Sequence, residues 1–499
     1  MNSVSTLLWI EMILFLIIIG ILGYYSAKKT KTIEDFAISG ASLGPIVLGL
    51  SFAATFFSAA TFLGYPGWSY AWGYSNLWLF LTLIGAGPIG IIAVGKMVRR
   101  INQEQKSLSL PDWLGDYYNS DFLRVGSGII MLFNIFYIAA QFSAGARIFE
   151  SMLNIPYSVG LLLIAAIVII YVFAGGSYAD VYTDAAQAVV MVLAGVIVFV
   201  SGIWIFGNGS INAAFTHITE NLASQDANLV KVINPESGNY YSFTAILGIF
   251  IIQFAFSSQP QLFNKVLSLK NPADLGKMIA TYILTALLCL LVFFGGLYAR
   301  VALPGIEISD QALLQYIMWA FPAFLAAFIG VVILAAALST TDGLFVVMST
   351  VFANDIYRKF LVRRGIIQAD EEKSNRVALW ISRWVVIAVG IVAYLIVLNP
   401  PEYMGSLMWV GISGVSAGTL GPILYAVFTR KKASPRAAEL SMVIGLVSYL
   451  VIYFGKFESS PMAAGAWATL IGIAVMWILA GLLKPPAEAA VTDGQVKNG

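Results

Sequence analysis

The chain has 499 residues, of which 59% are hydrophobic and 11% charged, and its mean hydropathy is +0.84. A water-soluble globular domain is nearer half apolar and a quarter charged, so this composition excludes one and demands a protein that crosses a membrane many times. A net charge of +2 gives no electrostatic footprint for nucleic acid, and the single cysteine, Cys289, excludes an internal disulfide framework or a thiolate metal site.

The first apolar run, Leu7 to Tyr25, has no Lys or Arg before it and has Lys28, Lys29 and Lys31 after it. A cleaved leader carries its positive charge ahead of the apolar run, so this run reads as a first crossing whose C-terminal end is inside. Runs long enough to cross a bilayer bring the predicted total to thirteen: 6–25, 45–68, 72–97, 124–152, 157–174, 180–205, 241–262, 274–303, 321–352, 375–397, 402–429, 436–454 and 461–483. With the N-terminus outside, most of the 28 Lys and Arg fall on inner segments, among them Lys96, Arg99, Arg100, Lys106, Arg124, Lys265, Lys270 and Lys277. The outer segments then hold only Lys231, Arg300 and Lys456, while Arg147 and Arg383 fall within crossings. Basic residues concentrate on the cytoplasmic side, so the expectation is an odd number of crossings, an outside N-terminus and an inside C-terminus. The outer stretch 206–240 reads as a polar loop, with His217 a solvated residue in it, and 484–499 as a short cytoplasmic tail.

Two crossings read as broken. In the second, Ala53, Ala54, Thr55, Ser58, Ala59, Ala60 and Thr61 give a run of small and hydroxyl residues ending at Gly64, Pro66 and Gly67. In the seventh, Gln253, Ser257, Ser258, Gln259 and Pro260 interrupt an apolar run. Proline removes a backbone donor and clashes with the preceding turn; the carbonyls so released cannot face lipid and must line a cavity or bind something. A packed helix kinked at Pro260 is the plainer alternative. The two breaks are five crossings apart, so crossings 2–6 and 7–11 form two halves of opposite orientation, an inverted repeat whose binding sites lie near the midplane.

The ninth crossing carries LAAALSTTDGLF, residues 334–345, which places Ser339, Thr340, Thr341 and Asp342 inside an apolar segment. Hydroxyls there often bond back to the carbonyl one turn earlier. Combined with a partner break they also suit Na⁺, a hard cation that takes oxygen ligands: the hydroxyls of Ser339 and Thr340 and the carbonyls of Ala336, Ala54 and Phe57 make five oxygens from two helices.

Several stretches then carry a family resemblance: KKTKTIEDFAISG (28–40), FFSAATFLGYPG (56–67), QFSAGARIFES (141–151), YVFAGGSYADVYTDAAQAVVM (171–191), SSQPQLFNK (257–265) and AAALST (335–340). The most specific is the Gly175–Gly176 pair followed by Thr183, Asp184 and Gln187; Ser177 departs from the apolar residue more usual after the glycines. Over nearly its whole length the chain resembles the sodium:solute symporter family, closest in appearance to its pantothenate and proline branches. The resemblance implies an all-α integral membrane protein with a leucine-transporter-like 5+5 inverted repeat. It implies one transporter domain over 1–483, with core repeats at about 45–205 and 241–429 and extra helices at 6–25, 436–454 and 461–483. It implies Na⁺ as the co-transported ion, held by Ala54, Phe57, Ala336, Ser339 and Thr340, and a role in sodium release for Asp184.

Matched to the family, the substrate pocket is expected to be lined by Thr61, Tyr137, Gln141, Gln253, Phe256, Ser257 and Pro260, with Trp409 and Ser413 contributing. Sugar-binding relatives place a Gln near Thr61 and a carboxylate near Phe80; neither is present here, which argues against a polyol. Arg147 lies beyond Gln141 and has Glu150 three residues on as a partner. The expected activity is sodium-coupled uptake of a small organic solute bearing a carboxylate, such as pantothenate, a monocarboxylate or proline, by alternating access in the plasma membrane. No enzyme constellation of nucleophile and base is legible. The alternatives are an uncoupled carrier or channel and a membrane solute sensor.

Overall fold

The computed structural model describes residues 3–28, 32–174, 177–256, 259–429 and 433–483. The expected pocket residue Ser257, the Gly175–Gly176 pair and the tail 484–499 lie outside the described residues. Within them every regular element is helical, and the one β-feature is an isolated parallel bridge between Leu43 and Leu269.

In chain order the main helices are α1 (Ser3–Ala27), α2 (Pro45–Phe56), α3 (Tyr65–Trp72), α4 (Leu77–Gln105), α5 (Leu110–Tyr118), α6 (Asp121–Leu153), α7 (Tyr157–Ala174), α8 (Ser177–Gly207) and α9 (Ile211–Gln225). The second half comprises α10 (Phe243–Phe256), α11 (Pro260–Leu267), α12 (Pro272–Ala302), α13 (Ala312–Ala320), α14 (Ala323–Val362), α15 (Glu371–Ile396), α16 (Met404–Thr429), α17 (Pro435–Phe454) and α18 (Pro461–Leu482). Many of these begin on proline at the first turn, as at Pro45, Pro260, Pro435 and Pro461. There the missing N–H has no intrahelical partner to lose.

Among the described residues ten helical segments are long and apolar enough to cross a bilayer, or eleven if α10 and α11, bent by 40°, are one crossing. One of the ten, Ala60–Gln105, has 46 residues and contains both α3 and α4. It turns at Gly73, whose φ of 64° and ψ of −138° belong to no ordinary L-residue. A Cβ at Gly73 would also stand 2.0 Å from the carbonyl oxygen of Leu229. Helix α2 is apolar but has 12 residues, about 18 Å of rise, which is short of the ~30 Å hydrocarbon core. It has to be continued by another element, and α3 follows it after a break.

Burial separates centre from rim. The apolar window of α16 is 94% buried and that of α14 is 78% buried, against 22% in α1 and 28% in α15. Rim helices present large apolar side chains outward, among them Ile10, Ile17, Trp204, Trp380 and Trp384, as a lipid-facing surface does. Around the centre, α2 packs against α8 and α12, α3 against α12, α10 against α4, and α16 against α6 and α18. The trailing helices approach closely through small residues. A Cβ on Gly445 would lie 2.0 Å from the Ala417 oxygen, one on Gly421 would lie 2.6 Å from Ser441 Oγ, and Ser441 donates to the Gly472 carbonyl at 2.8 Å. Small-residue contacts of this kind drive helix association in lipid, where burial alone gives no preference.

The structure differs from the sequence expectation in two respects. The outer stretch 206–240 is not simply a loop: it contains α9, capped by the Ser210 side chain, with Ala214, Ile218 and Leu222 buried on one face. His217 lies on this helix, its ring stacked on Phe206 at 5.8 Å and 15°. A four-residue apolar spacing over one short segment is easily passed over when crossings are counted by hydropathy. The second difference concerns depth. Arg124 and Lys265, grouped by sequence with the inner flanking charges, are 4% and 2% exposed. Arg124 pairs with Asp112, Asp116 and Asp121, and Lys265 is described below.

Candidate ion and solute site

Helix α2 ends at Phe56, and Phe57 leaves helical geometry with φ −94° and ψ 81°. The Phe57 N–H still bonds to the Ala53 carbonyl at 2.8 Å. The next N–H groups have lost their intrahelical acceptors and find others. Ala59 N–H donates to Gln141 Oε1 on α6 at 3.0 Å, Ala60 N–H to Ser58 Oγ at 3.2 Å, and Thr61 N–H to the Ser58 carbonyl at 2.8 Å. A wide π turn over Ala60–Gly64 then leads into α3. Backbone groups buried in a membrane protein must be satisfied internally, and Gln141 is one means by which this break is tolerated.

The hydroxyl run of α14 faces this break. Ser339 Oγ donates to the Ala54 carbonyl at 3.0 Å and lies 3.3 Å from the Ala336 carbonyl. Thr340 Oγ1 donates to the Thr55 carbonyl at 3.1 Å. Thr341 bonds back to the Ala337 carbonyl at 2.6 Å, the plain local arrangement. Ala54, Phe57, Ala336, Ser339 and Thr340 are all 1% exposed or less. Ser339 Oγ is therefore within hydrogen-bond reach of both the Ala54 and the Ala336 carbonyl, Thr340 reaches the adjacent Thr55 carbonyl, and Phe57 sits at the end of the same broken turn. The Thr55 carbonyl was not anticipated from sequence.

Next to this cluster is a buried ion network. Lys265 Nζ, from α11, lies 2.8 Å from Asp180 Oδ2, 2.8 Å from Asp184 Oδ2 and 2.7 Å from Ser51 Oγ. Asp184 Oδ2 also accepts from Thr55 Oγ1 at 2.7 Å and from Ser51 Oγ at 3.1 Å. Thr55 thus touches both groups, through its carbonyl to Thr340 and through its hydroxyl to Asp184. The other carboxylate oxygens, Asp180 Oδ1 and Asp184 Oδ1, are buried without a hydrogen bond. The Leu43 backbone bonds on either side of Leu269 (Leu43 N–H to the Ser268 carbonyl at 3.2 Å, Lys270 N–H to the Leu43 carbonyl at 3.0 Å), holding α11 beside the start of α2.

The remaining expected pocket residues divide into two groups. Tyr137, Phe256 and Trp409 are buried near the break, and Gln253 is buried three residues before Phe256 on α10. Phe256 packs against Phe56 at 4.4 Å and against Trp409 at 5.5 Å between ring centroids. The Tyr137 hydroxyl lies beside Ser58 and Thr340 without closing a hydrogen bond to either, and both amide atoms of Gln253 and the Trp409 indole N–H have no hydrogen bond. Buried polar groups are nearly always satisfied, so these donors among aromatic rings, with the Tyr65 hydroxyl beside Trp409, suit the polar group of a small solute. By contrast Gln141 gives its oxygen to Ala59, and Ser413 Oγ donates to the Pro461 carbonyl on α18 at 2.8 Å. Thr61 is buried on the π turn and Pro260 opens α11. Arg147 pairs with Glu150 at 2.7 Å, as its spacing anticipated.

The fold, with a broken helix and a continuous one meeting at a buried oxygen cluster, has the architecture of a secondary transporter. The same helical arrangement is found in a Na⁺-coupled sialic acid symporter solved in a substrate-bound outward-open state, with a TM-score of 0.78 at 18% identity over 96% of this chain and 98% of that one. That likeness establishes the leucine-transporter-like fold. The sodium:solute symporter family model matches residues 36–445, and the chain belongs to that family. Among curated relatives, the sodium/pantothenate symporter of Haemophilus influenzae is 26% identical over 438 residues, covering 87% of each chain. The sodium/proline symporter of Salmonella typhimurium is 26% identical over 501 residues, covering 98% of this chain and 95% of its own. The protein is accordingly a multi-pass plasma-membrane transporter, not an enzyme, that couples entry of a small organic solute to Na⁺.

Proposed function

We propose that the co-transported Na⁺ binds where the broken end of α2 meets the hydroxyl pair of α14, held by the carbonyls of Ala54, Phe57 and Ala336 and the hydroxyls of Ser339 and Thr340. The observation that carries this reading is the pair of hydroxyl-to-carbonyl bonds, Ser339 to Ala54 and Thr340 to Thr55. With no ion, each hydroxyl proton satisfies a carbonyl that the break has released. With Na⁺ present, the hydroxyls rotate, their protons find other acceptors, and hydroxyl and carbonyl oxygens turn lone pairs to the same cation. The site is neutral, which suits a monovalent ion that must leave again.

The solute is a small carboxylate, with pantothenate, a monocarboxylate or proline as the leading candidates. The donors left without acceptors support this: the Tyr137 hydroxyl, the Gln253 amide and the Trp409 indole N–H. The names of the relatives, a pantothenate and a proline symporter, support it independently. Phe256 and Trp409 supply the apolar walls; Thr61, Gln141, Pro260, Ser413 and Ser257 complete the expected lining. Asp184 acts in sodium release. In this reading the chain crosses thirteen times, α2 with α3 and α10 with α11 each making one broken crossing, with the N-terminus outside and the C-terminus inside. Ion binding fixes the broken helix, solute binds beside it, and differential affinity of the two ligands for the outward and inward forms drives the cycle.

A thermal-shift screen tests this on the purified chain. A bound ligand raises apparent stability, so one carboxylate is expected to stabilise the protein in NaCl and much less in choline chloride. A solute that stabilises equally in both salts would refute the coupling site; stabilisation by neutral sugars alone would refute the solute class.

A further inference from the structure

The ion network next to the Na⁺ site has an unbalanced charge. With both acids ionised, Asp180 and Asp184 contribute two negative charges and Lys265 one positive, and all three are 6% exposed or less; Asp342 on α14, 4% exposed and next to Gly343 beside Asp180, is a further buried acid outside this trio. Buried charges in a membrane protein are expensive unless compensated, yet one oxygen on each carboxylate has no hydrogen bond. The network is one residue from the proposed ion, because Thr55 donates its hydroxyl to Asp184 and accepts Thr340 at its carbonyl. A Na⁺ in the neutral cage brings the sum over this trio and the ion from minus one to zero.

The three charges also come from elements that meet here. Lys265 belongs to α11, the segment after the second break, and both acids to α8, while Ser51 and Thr55 belong to α2. The ammonium therefore ties one broken helix to the long helix beside the other. A cation in the cage competes with Lys265 for the same two carboxylates through space, so occupancy of the cage weakens the tie and loss of the ion strengthens it.

Building on the ion site proposed above, we propose that Lys265 is a coupling residue: a tethered cation that shares Asp180 and Asp184 with the transported Na⁺ and so sets its affinity and holds α11 to α8 when the ion has left. It touches neither ion nor solute and acts through the two carboxylates.

Charge arithmetic makes the test directional. The full-length protein in detergent is titrated with NaCl against choline chloride at constant ionic strength, and binding is followed by tryptophan fluorescence. Lys265→Gln makes the sum over the trio more negative, minus two, and is expected to tighten Na⁺ binding roughly three- to tenfold. Asp180→Asn brings it to zero and is expected to weaken binding by a similar factor. The double variant Lys265→Gln/Asp180→Asn restores minus one, and its affinity is expected to return to within about twofold of the parent. A purely structural role would not give opposite signs and mutual rescue. If Lys265→Gln does not fold, Asp180→Asn against the double variant still decides. Ser339→Ala is titrated alongside. Weakened binding in Ser339→Ala with parental affinity in Asp180→Asn and the double variant overturns the coupling role alone. Parental affinity in Ser339→Ala overturns the ion site itself, and the coupling role with it.

Discussion

Thr340 and Thr55 are separated by 285 positions, yet the hydroxyl of one donates to the carbonyl of the other at 3.1 Å. That bond, with the parallel one from Ser339 to Ala54, joins an intact helix to a broken one at the depth where the break occurs. Ser339→Ala and Thr340→Ala are each expected to raise the Na⁺ concentration for half-maximal uptake about tenfold, from the loss of one oxygen ligand worth roughly 1.5 kcal/mol. Uptake driven by an imposed Na⁺ gradient in proteoliposomes checks this. Thr341→Ala, whose hydroxyl bonds back within its own helix, is expected to leave Na⁺ dependence unchanged.

The solute side is separable from the ion side. Gln253→Ala and Trp409→Phe each remove an orphaned donor while leaving the cage oxygens in place. Each is expected to raise the KM for solute roughly ten- to 150-fold, in line with about 1.5–3 kcal/mol per lost hydrogen bond to a charged group, with little change in the Na⁺ affinity of the solute-free protein. Solute uptake at saturating Na⁺ and Na⁺ titration without solute measure the two.

Gln141 has a different task. Its oxygen accepts the Ala59 N–H released by the break. Gln141→Leu leaves that donor buried and unsatisfied, a loss of about 1–3 kcal/mol. The expected readout is a fall in Tm in detergent even without solute. Gln141→Glu retains an acceptor and is expected to recover most of the loss.

Asp310 supplies a pH dependence outside the membrane-spanning segments. It is 2% exposed in the connection between α12 and α13, and its Oδ2 accepts the Met404 N–H at the start of α16 at 2.8 Å. Burial pushes its carboxyl up to about 7, against the opposing pull of the Met404 hydrogen bond and Arg147. Tyr403 and Tyr157 also face it. The folded value is raised, so the folded state holds the proton more tightly than the unfolded chain. The resulting stabilisation is complete below the ordinary carboxylate range and is lost as pH rises through about 7. Tm is therefore expected to fall between pH 5 and pH 8. Asp310→Asn, which keeps an acceptor for Met404 and cannot ionise, is expected to flatten that slope.

Much of this arrangement was readable in the sequence. Hydropathy and loop charge reveal the helical class, and Pro260 marks the second interruption, but the first falls at Phe57, ahead of Gly64 and Pro66, which lie in continuous helix. The Ser339–Thr340 pair stood out because hydroxyls in an apolar segment need acceptors. Thr55 did not stand out, since it is one hydroxyl in a run of small residues and its two partners come from positions 184 and 340. Lys265 reads in the sequence as one more flanking basic residue, because a count of charge along the chain carries no information on depth; only the fold brings it 2.8 Å from both carboxylates. Gln141 and Ser413 enter the expected pocket through the family resemblance, and the partners that their side chains take here, Ala59 and Pro461, are too distant in sequence to be read from it.

The contact between α16 and α17 at Gly445 leaves no side chain between the two backbones. Even one methyl group at Gly445 would have to push the two helices apart, so the spacing of the C-terminal trio depends on a single hydrogen atom at that position.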